Sequence, residues 1–118
     1  MRFLFVMDPA ETMHPAKDTT FAFMRGARAR GHESFHCLPR HVANEGRTVT
    51  ARARSIAVAD SAPHLTLGSE TVLDLAALDA VFIRKDPPFD PPYVHLTHQL
   101  DLVKAHTLIV NDPRGLRD

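Results

Sequence analysis

The sequence predicts an α/β fold: a mostly parallel central sheet with flanking helices and an antiparallel hairpin insertion. Three observations lead there. Short, continuous apolar runs at Phe3 to Met7, Ala80 to Ile83 and Thr107 to Val110 each give way to a polar segment carrying Asp-Pro, as expected of parallel strands buried on both faces. Stretches with helical spacing lie between such runs. The middle of the chain alternates small or apolar with polar residues instead. A length of 118 residues fits one domain, residues 1–118, and leaves no room for a second.

The elements follow in order. Phe3 to Met7 is closed by Asp8-Pro9, and residues 9–17, which carry Pro9 and Pro15, read as a loop. Asp18 or Thr19 then caps a helix. Phe21, Phe23, Met24 and Ala27 have helical spacing, Gly31 is the stop, and Arg25, Arg28 and Arg30 suit the negative end of the helix dipole. Glu33 to Leu38 reads as the next strand, ended by Pro39, which completes a β-α-β unit. Asn44-Glu45-Gly46 is a turn signal. Thr48 to Ala59 alternates, Ser61-Ala62-Pro63 interrupts, Leu65 to Leu67 resumes, and Gly68-Ser69 reads as a turn before Glu70 to Leu73. This is antiparallel material for the sheet's margin. After Ala80 to Ile83, Pro91-Pro92 suits a helix's first turn. Leu96, Leu100 and Val103 then form one stripe through to Lys104. Thr107 to Val110 is the last strand. Pro113 would open another helix, so an end at Asp118 points to a truncated chain.

Composition excludes several classes. Formal net charge is zero and the pI is near 7.1, so the basic excess of a phosphate-neutralising nucleic-acid binder is missing. No nucleic-acid partner is expected. No apolar run approaches the ~20 residues that span a bilayer, and the opening apolar run is too short for a signal peptide. A cytoplasmic domain without a membrane partner is expected. Cys37 is the only cysteine; in a buried strand it acts as a small hydrophobe.

Other local patterns carry little chemistry. His32-Glu33-Ser34-Phe35-His36 matches the zinc-protease pattern. That chemistry needs a helix, and here Gly31 ends the helix before the segment begins. On a strand, positions four apart lie roughly 13 Å from each other, too far for one zinc. No metal site is expected. His95 and His98 read as a solvated helix face, and Arg47, Arg52 and Arg54 as a solvated sheet face without interleaved aromatics. The sequence has no serine nucleophile elbow, no Walker loop and no dinucleotide-binding glycine pattern.

Arg84-Lys85-Asp86 is different. Two cations and a carboxylate leave a buried strand together, at the end where open α/β sheets bind ligands. Arginine holds carboxylates through paired hydrogen bonds. Pro87-Pro88 pre-orders the backbone that follows. If the three Asp-Pro strands are parallel neighbours, their polar tips share one rim.

Ile83-Arg84-Lys85-Asp86-Pro87-Pro88-Phe89-Asp90 resembles the signature of prokaryotic glutathione synthetases. Val6-Met7-Asp8-Pro9, Lys17-Asp18-Thr19-Thr20-Phe21-Ala22, and Leu108-Ile109-Val110-Asn111 through Pro113 with Leu116-Arg117-Asp118 are similar to other stretches of that family in order and spacing. Residues 40–75 match loosely. The resemblance implies a Rossmann-like pre-ATP-grasp domain, with the ATP-grasp domain absent from this chain. It implies a parent ligase that joins γ-glutamylcysteine to glycine through an acyl phosphate, uses ATP and Mg²⁺, and forms homo-oligomers. This chain alone is then expected to be inactive, to hold no cofactor, and to form one wall of the peptide-substrate cleft. Under that resemblance Arg84 and Lys85 meet carboxylate or phosphate charge, and Asp86 orients them or meets an amino group. Asp18, Thr19 and Thr20 offer a helix start to an anion, and Asp8 and Asn111 stand on the rim. Two other readings stay open: a free-standing module for a small anionic metabolite, and an oligomerisation domain.

Overall fold

A computed structural model describes residues 1–7, 9, 19–59, 63–84 and 91–111, with the backbone alone at Thr19, residues 91–94 and Asn111. Its strands are β1 (Arg2–Met7), β2 (Glu33–Cys37), β3 (Val42–Glu45), β4 (Thr48–Val58), β5 (Leu65–Asp74), β6 (Ala80–Arg84) and β7 (Leu108–Asn111). Two helices, α1 (Thr19–Ala29) and α2 (Pro91–Asp101), connect parallel strands.

The seven strands form one sheet in the order β3-β4-β2-β1-β6-β7, with β5 also on β4. β2, β1, β6 and β7 run parallel; β3, β4 and β5 add antiparallel pairs at the margin. Arg54 of β4 pairs with both His36 of β2 and Glu70 of β5. β5 therefore occupies one edge of β4, while β3 and β2 share the other. The predicted parallel centre and antiparallel insertion are both present.

β1 shows why an unbroken apolar run makes a central strand. Leu4 and Val6 enter one core with Val81 and Ile83 of β6 and Leu96 and Leu100 of α2. Phe3, Phe5 and Met7 enter the other, with Phe21, Met24 and Ala27 of α1. Alternate side chains point to opposite faces, so both faces of β1 are buried. α1 lies on one face of the sheet and α2 on the other. Right-handed crossovers that leave the sheet's centre in opposite directions give this arrangement.

α1 ends as its glycine predicts. Gly31 has φ 79, the His32 amide donates to Ala27 O at 3.0 Å, and the Gly31 amide donates to Arg28 O at 2.9 Å. This is a Schellman cap. Phe23 departs from the expected stripe: Phe21, Met24 and Ala27 are buried, but Phe23 is 46% exposed. α2 also ends earlier than its apolar stripe. The helix stops at Asp101, and the tighter turns that follow still bury Val103.

Two turn readings are corrected. Asn44 and Glu45 belong to β3, and the reversal falls on Gly46-Arg47, with Gly46 at φ 62. A two-residue hairpin loop needs a positive φ at its first residue when the second has none. Gly68-Ser69 is not a turn either; β5 runs through it. The register passes from Arg54↔Glu70 to Ile56↔Leu67, so Gly68 and Ser69 face Ser55 alone in a bulge. A Cβ at Gly68 would meet the Ser55 hydroxyl, so the glycine serves close packing. Arg54 satisfies the local carbonyls: Nε donates to Gly68 O at 2.7 Å and Nη2 to Leu67 O at 3.3 Å.

Candidate functional site

The carboxyl ends of β1, β6 and β7 meet at one rim. Met7 pairs with Arg84, and Ile83 pairs with Asn111. The condition set by the three apolar strands, that they be parallel neighbours, is therefore met.

α1 brings its first turn to the same rim. Arg84 Nε donates to Thr20 Oγ1 at 2.7 Å, and Thr20 is only 5% exposed. The bond fixes the guanidinium plane at the start of a helix. The first amides of a helix lack intrahelical acceptors and carry its positive dipole end. The first turn of α1 contains no acidic residue. Among the described residues, a guanidinium beside that helix end is an arrangement that suits a carboxylate or phosphate.

The structure thus brings Arg84, Thr20 and the backbone of Asn111 to one end of the sheet. Thr19 is the first residue of α1. Asp8, Asp18, Lys85 and Asp86 lie outside the described residues, as do Pro87 to Asp90. The contact between Thr20 and Arg84 had no local signal in the sequence. It arises only when β6 is laid beside β1 and α1 packs across them.

Gln99 and His32 have structural partners. Gln99 of α2 is 5% exposed, and its amide donates to Val42 O at 3.2 Å and Asn44 Oδ1 at 3.1 Å, tying α2 to β3. The His32–His36 pattern lies along the start of β2, not on a helix, and His32 Nδ1 sits 3.0 Å from the Met1 amino group. Burial pushes the Cys37 thiol up to about 12, which leaves it protonated and inert at neutral pH. His95 and His98 are exposed on α2. Among the described residues no three His, Cys, Asp or Glu side chains group as a metal would require. No helix among them is long and apolar enough to cross a membrane. A cavity of about 250 Å³ opens between α1 and the start of β2, lined by Met24, Arg28, Ser34 and Ser55 among others. It lies away from the Arg84 rim, at the opposite end of the parallel strands.

The family model described as prokaryotic glutathione synthetase, N-terminal domain, matches residues 1–117. The chain is 40% identical over 113 residues to a glutathione synthetase of Brucella melitensis, covering 95% of this chain and 36% of that protein. It is 39% identical over 113 residues to one of Mesorhizobium japonicum, with the same coverage. Against the glutathione synthetase of Ralstonia nicotianae it is 38% identical over 120 residues, covering 100% of this chain and 37% of the relative. The chain spans little more than a third of the length of these relatives. It belongs to the family of prokaryotic glutathione synthetase N-terminal domains.

Proposed function

We propose that residues 1–118 form the single, substrate-side N-terminal domain of an ATP-dependent C–N ligase that joins γ-glutamylcysteine to glycine. One observation carries the assignment of a site: the Arg84 guanidinium is anchored on Thr20 at the first turn of α1. That point suits the carboxylate of a peptide substrate or the phosphate that forms on it. In this reading Lys85 adds a second cation and Asp86 orients the pair or meets an amino group. Asp18, Thr19 and Thr20 present the helix start, while Asp8 and Asn111 complete the rim. The parent reaction transfers the γ-phosphoryl group of ATP to the cysteinyl carboxylate, and ADP leaves. The glycine amine then attacks the acyl carbon, the amide bond forms, and phosphate leaves.

The described residues do not fit Mg²⁺, since they offer no cluster of acidic side chains. The sequence also lacks a phosphate loop. In this proposal ATP and metal belong to polypeptide beyond Asp118, in an enzyme that is cytoplasmic, homo-oligomeric and without nucleic-acid or membrane partners. The reading frame past Asp118 tests the domain assignment: an ATP-grasp sequence is expected there, and a natural stop would overturn it. For the site, Arg84→Ala in the full-length protein is expected to raise KM for γ-glutamylcysteine at least about tenfold, with a smaller change for ATP. Equal changes for both substrates, or none, would remove Arg84 from the cleft.

A further inference from the structure

Parallel sheets are covered on both faces, and among the described residues one part of one face, at β7, keeps apolar side chains exposed. α1 packs on β2 and β4, and its buried Phe21, Met24 and Ala27 share a core with Val58 of β4. α2 lies on the opposite face, against Val81 and Ile83. On the α1 face, α1 reaches β6 through Phe23 and Thr20, and among the described elements no helix packs on β7 there.

The side chains there are apolar. Phe82 pairs with Val110 and Ala80 with Leu108 across β6 and β7, so these residues share the face on which Ala80 and Phe82 join the α1 core. Phe23 of α1 lies 4.7 Å from the Phe82 ring, centroid to centroid. Leu108 is 64% exposed and Phe23 46% exposed; Phe82 and Val110 are half-buried. One exposed leucine is ordinary on a protein surface. A contiguous Phe23–Phe82–Val110–Leu108 patch on a parallel sheet marks a docking surface.

We propose that this patch is the docking face for polypeptide beyond Asp118 of the same protein, which covers β6 and β7 with an apolar surface of its own. The proposal rests on the reading of this chain as one domain of a longer ligase. Two observations favour that occupant over a separate partner. The relatives are long enough to supply it, because the chain matches only 36% or 37% of their length. β7 is the outermost parallel strand, and Asn111 is its last residue. The last described strand is therefore also the one that carries Leu108 and Val110 of the patch. The patch residues carry no charge, so the complementary surface is apolar.

Thiol labelling of the full-length protein tests this. Single variants Leu108→Cys, Phe23→Cys and, as a control, Val72→Cys are compared with the same variants unfolded in guanidinium. Val72 is 65% exposed on β5, and the native Cys37 is buried. The expected result is protection of the Leu108 and Phe23 variants by at least about a hundredfold, since a covered thiol reacts only through local opening. The Val72 variant should label close to its unfolded rate. Equal labelling at positions 72 and 108 would overturn the inference. So would protection that grows with protein concentration alongside self-association, because the cover would then be a second copy. Synthesis of glutathione is assayed on the same unmodified protein. Activity with an unprotected patch sinks this inference and leaves the ligase reading standing. A protected patch without ligase activity does the reverse.

Discussion

Thr20 and Arg84 are 64 positions apart in the chain, yet one 2.7 Å bond sets the aim of the guanidinium. In the proposed cleft Thr20 is a positioning residue; Arg84 meets the substrate. Thr20→Val keeps the shape and removes the hydroxyl that accepts from Arg84 Nε. A hydrogen bond to a charged group contributes about 1.5–3 kcal/mol, so KM for γ-glutamylcysteine in the full-length protein should rise roughly tenfold or more. Thr20→Ser restores the hydroxyl and should return KM to within about twofold of the parent value. A merely structural role would lower thermal stability in the valine variant and leave the dipeptide KM unchanged.

His41 offers a second residue-scale prediction. Its Nδ1 accepts from the Leu38 amide at 3.3 Å, which requires the neutral or at least Nδ1-deprotonated ring. Burial, followed by the positive charges of Arg40 and Arg52, holds the imidazole below its ordinary value of 6.5. The unfolded chain thus takes up this proton at higher pH than the folded one. The contribution of His41 to stability is complete above 6.5 and is lost as pH falls from there toward the lower folded value. Urea titrations at about pH 7.5 and about pH 5.5 should show a smaller acid-side loss for His41→Gln than for the parent. Identical losses would show that His41 does not contribute.

At the scale of elements, the helix ends and the sheet order explain which features were legible. Gly31 was readable as a stop because one residue type meets one backbone need: φ 79 with the amides of Gly31 and His32 closing the helix. Gly31→Ala should lower stability by about 1–2 kcal/mol, the strain of a left-handed alanine, measured by denaturant unfolding. A change below a few tenths would mean that the cap relaxes. Gly68 misled because it meets a different need, room for the Ser55 side chain in a bulge. The two demands look the same in a sequence. β3 was missed for another reason. It has four residues, of which Val42 alone is buried, so no alternation exists to read. Its place depends on pairing with β4 and on the Gln99 bonds from α2. β1 was legible because burial on both faces demands an unbroken apolar run. The rim was legible in part: the strand ends were visible, but the Arg84–Thr20 contact depends on packing across the sheet.

At the scale of the whole molecule, the proposed function separates binding from chemistry. In that proposal the Arg84 guanidinium, at the carboxyl end of β6, holds a substrate carboxylate, and α1 packs on the sheet face beside it. Transferring a phosphoryl group demands more: donors wrapped around a polyphosphate and compensation for the charge that develops. Neither a phosphate loop nor a grouped set of acidic metal ligands accompanies the described rim. In the proposed division this wall orients the substrate, and activation of its carboxylate belongs to the rest of the protein. The 118-residue chain, mixed with ATP, Mg²⁺, γ-glutamylcysteine and glycine, should therefore release no phosphate above the blank and form no glutathione. The full-length protein under the same conditions should do both. Phosphate release by the short chain that depends on the dipeptide would place catalytic groups inside these residues, and the division between a binding wall here and chemistry elsewhere would fail.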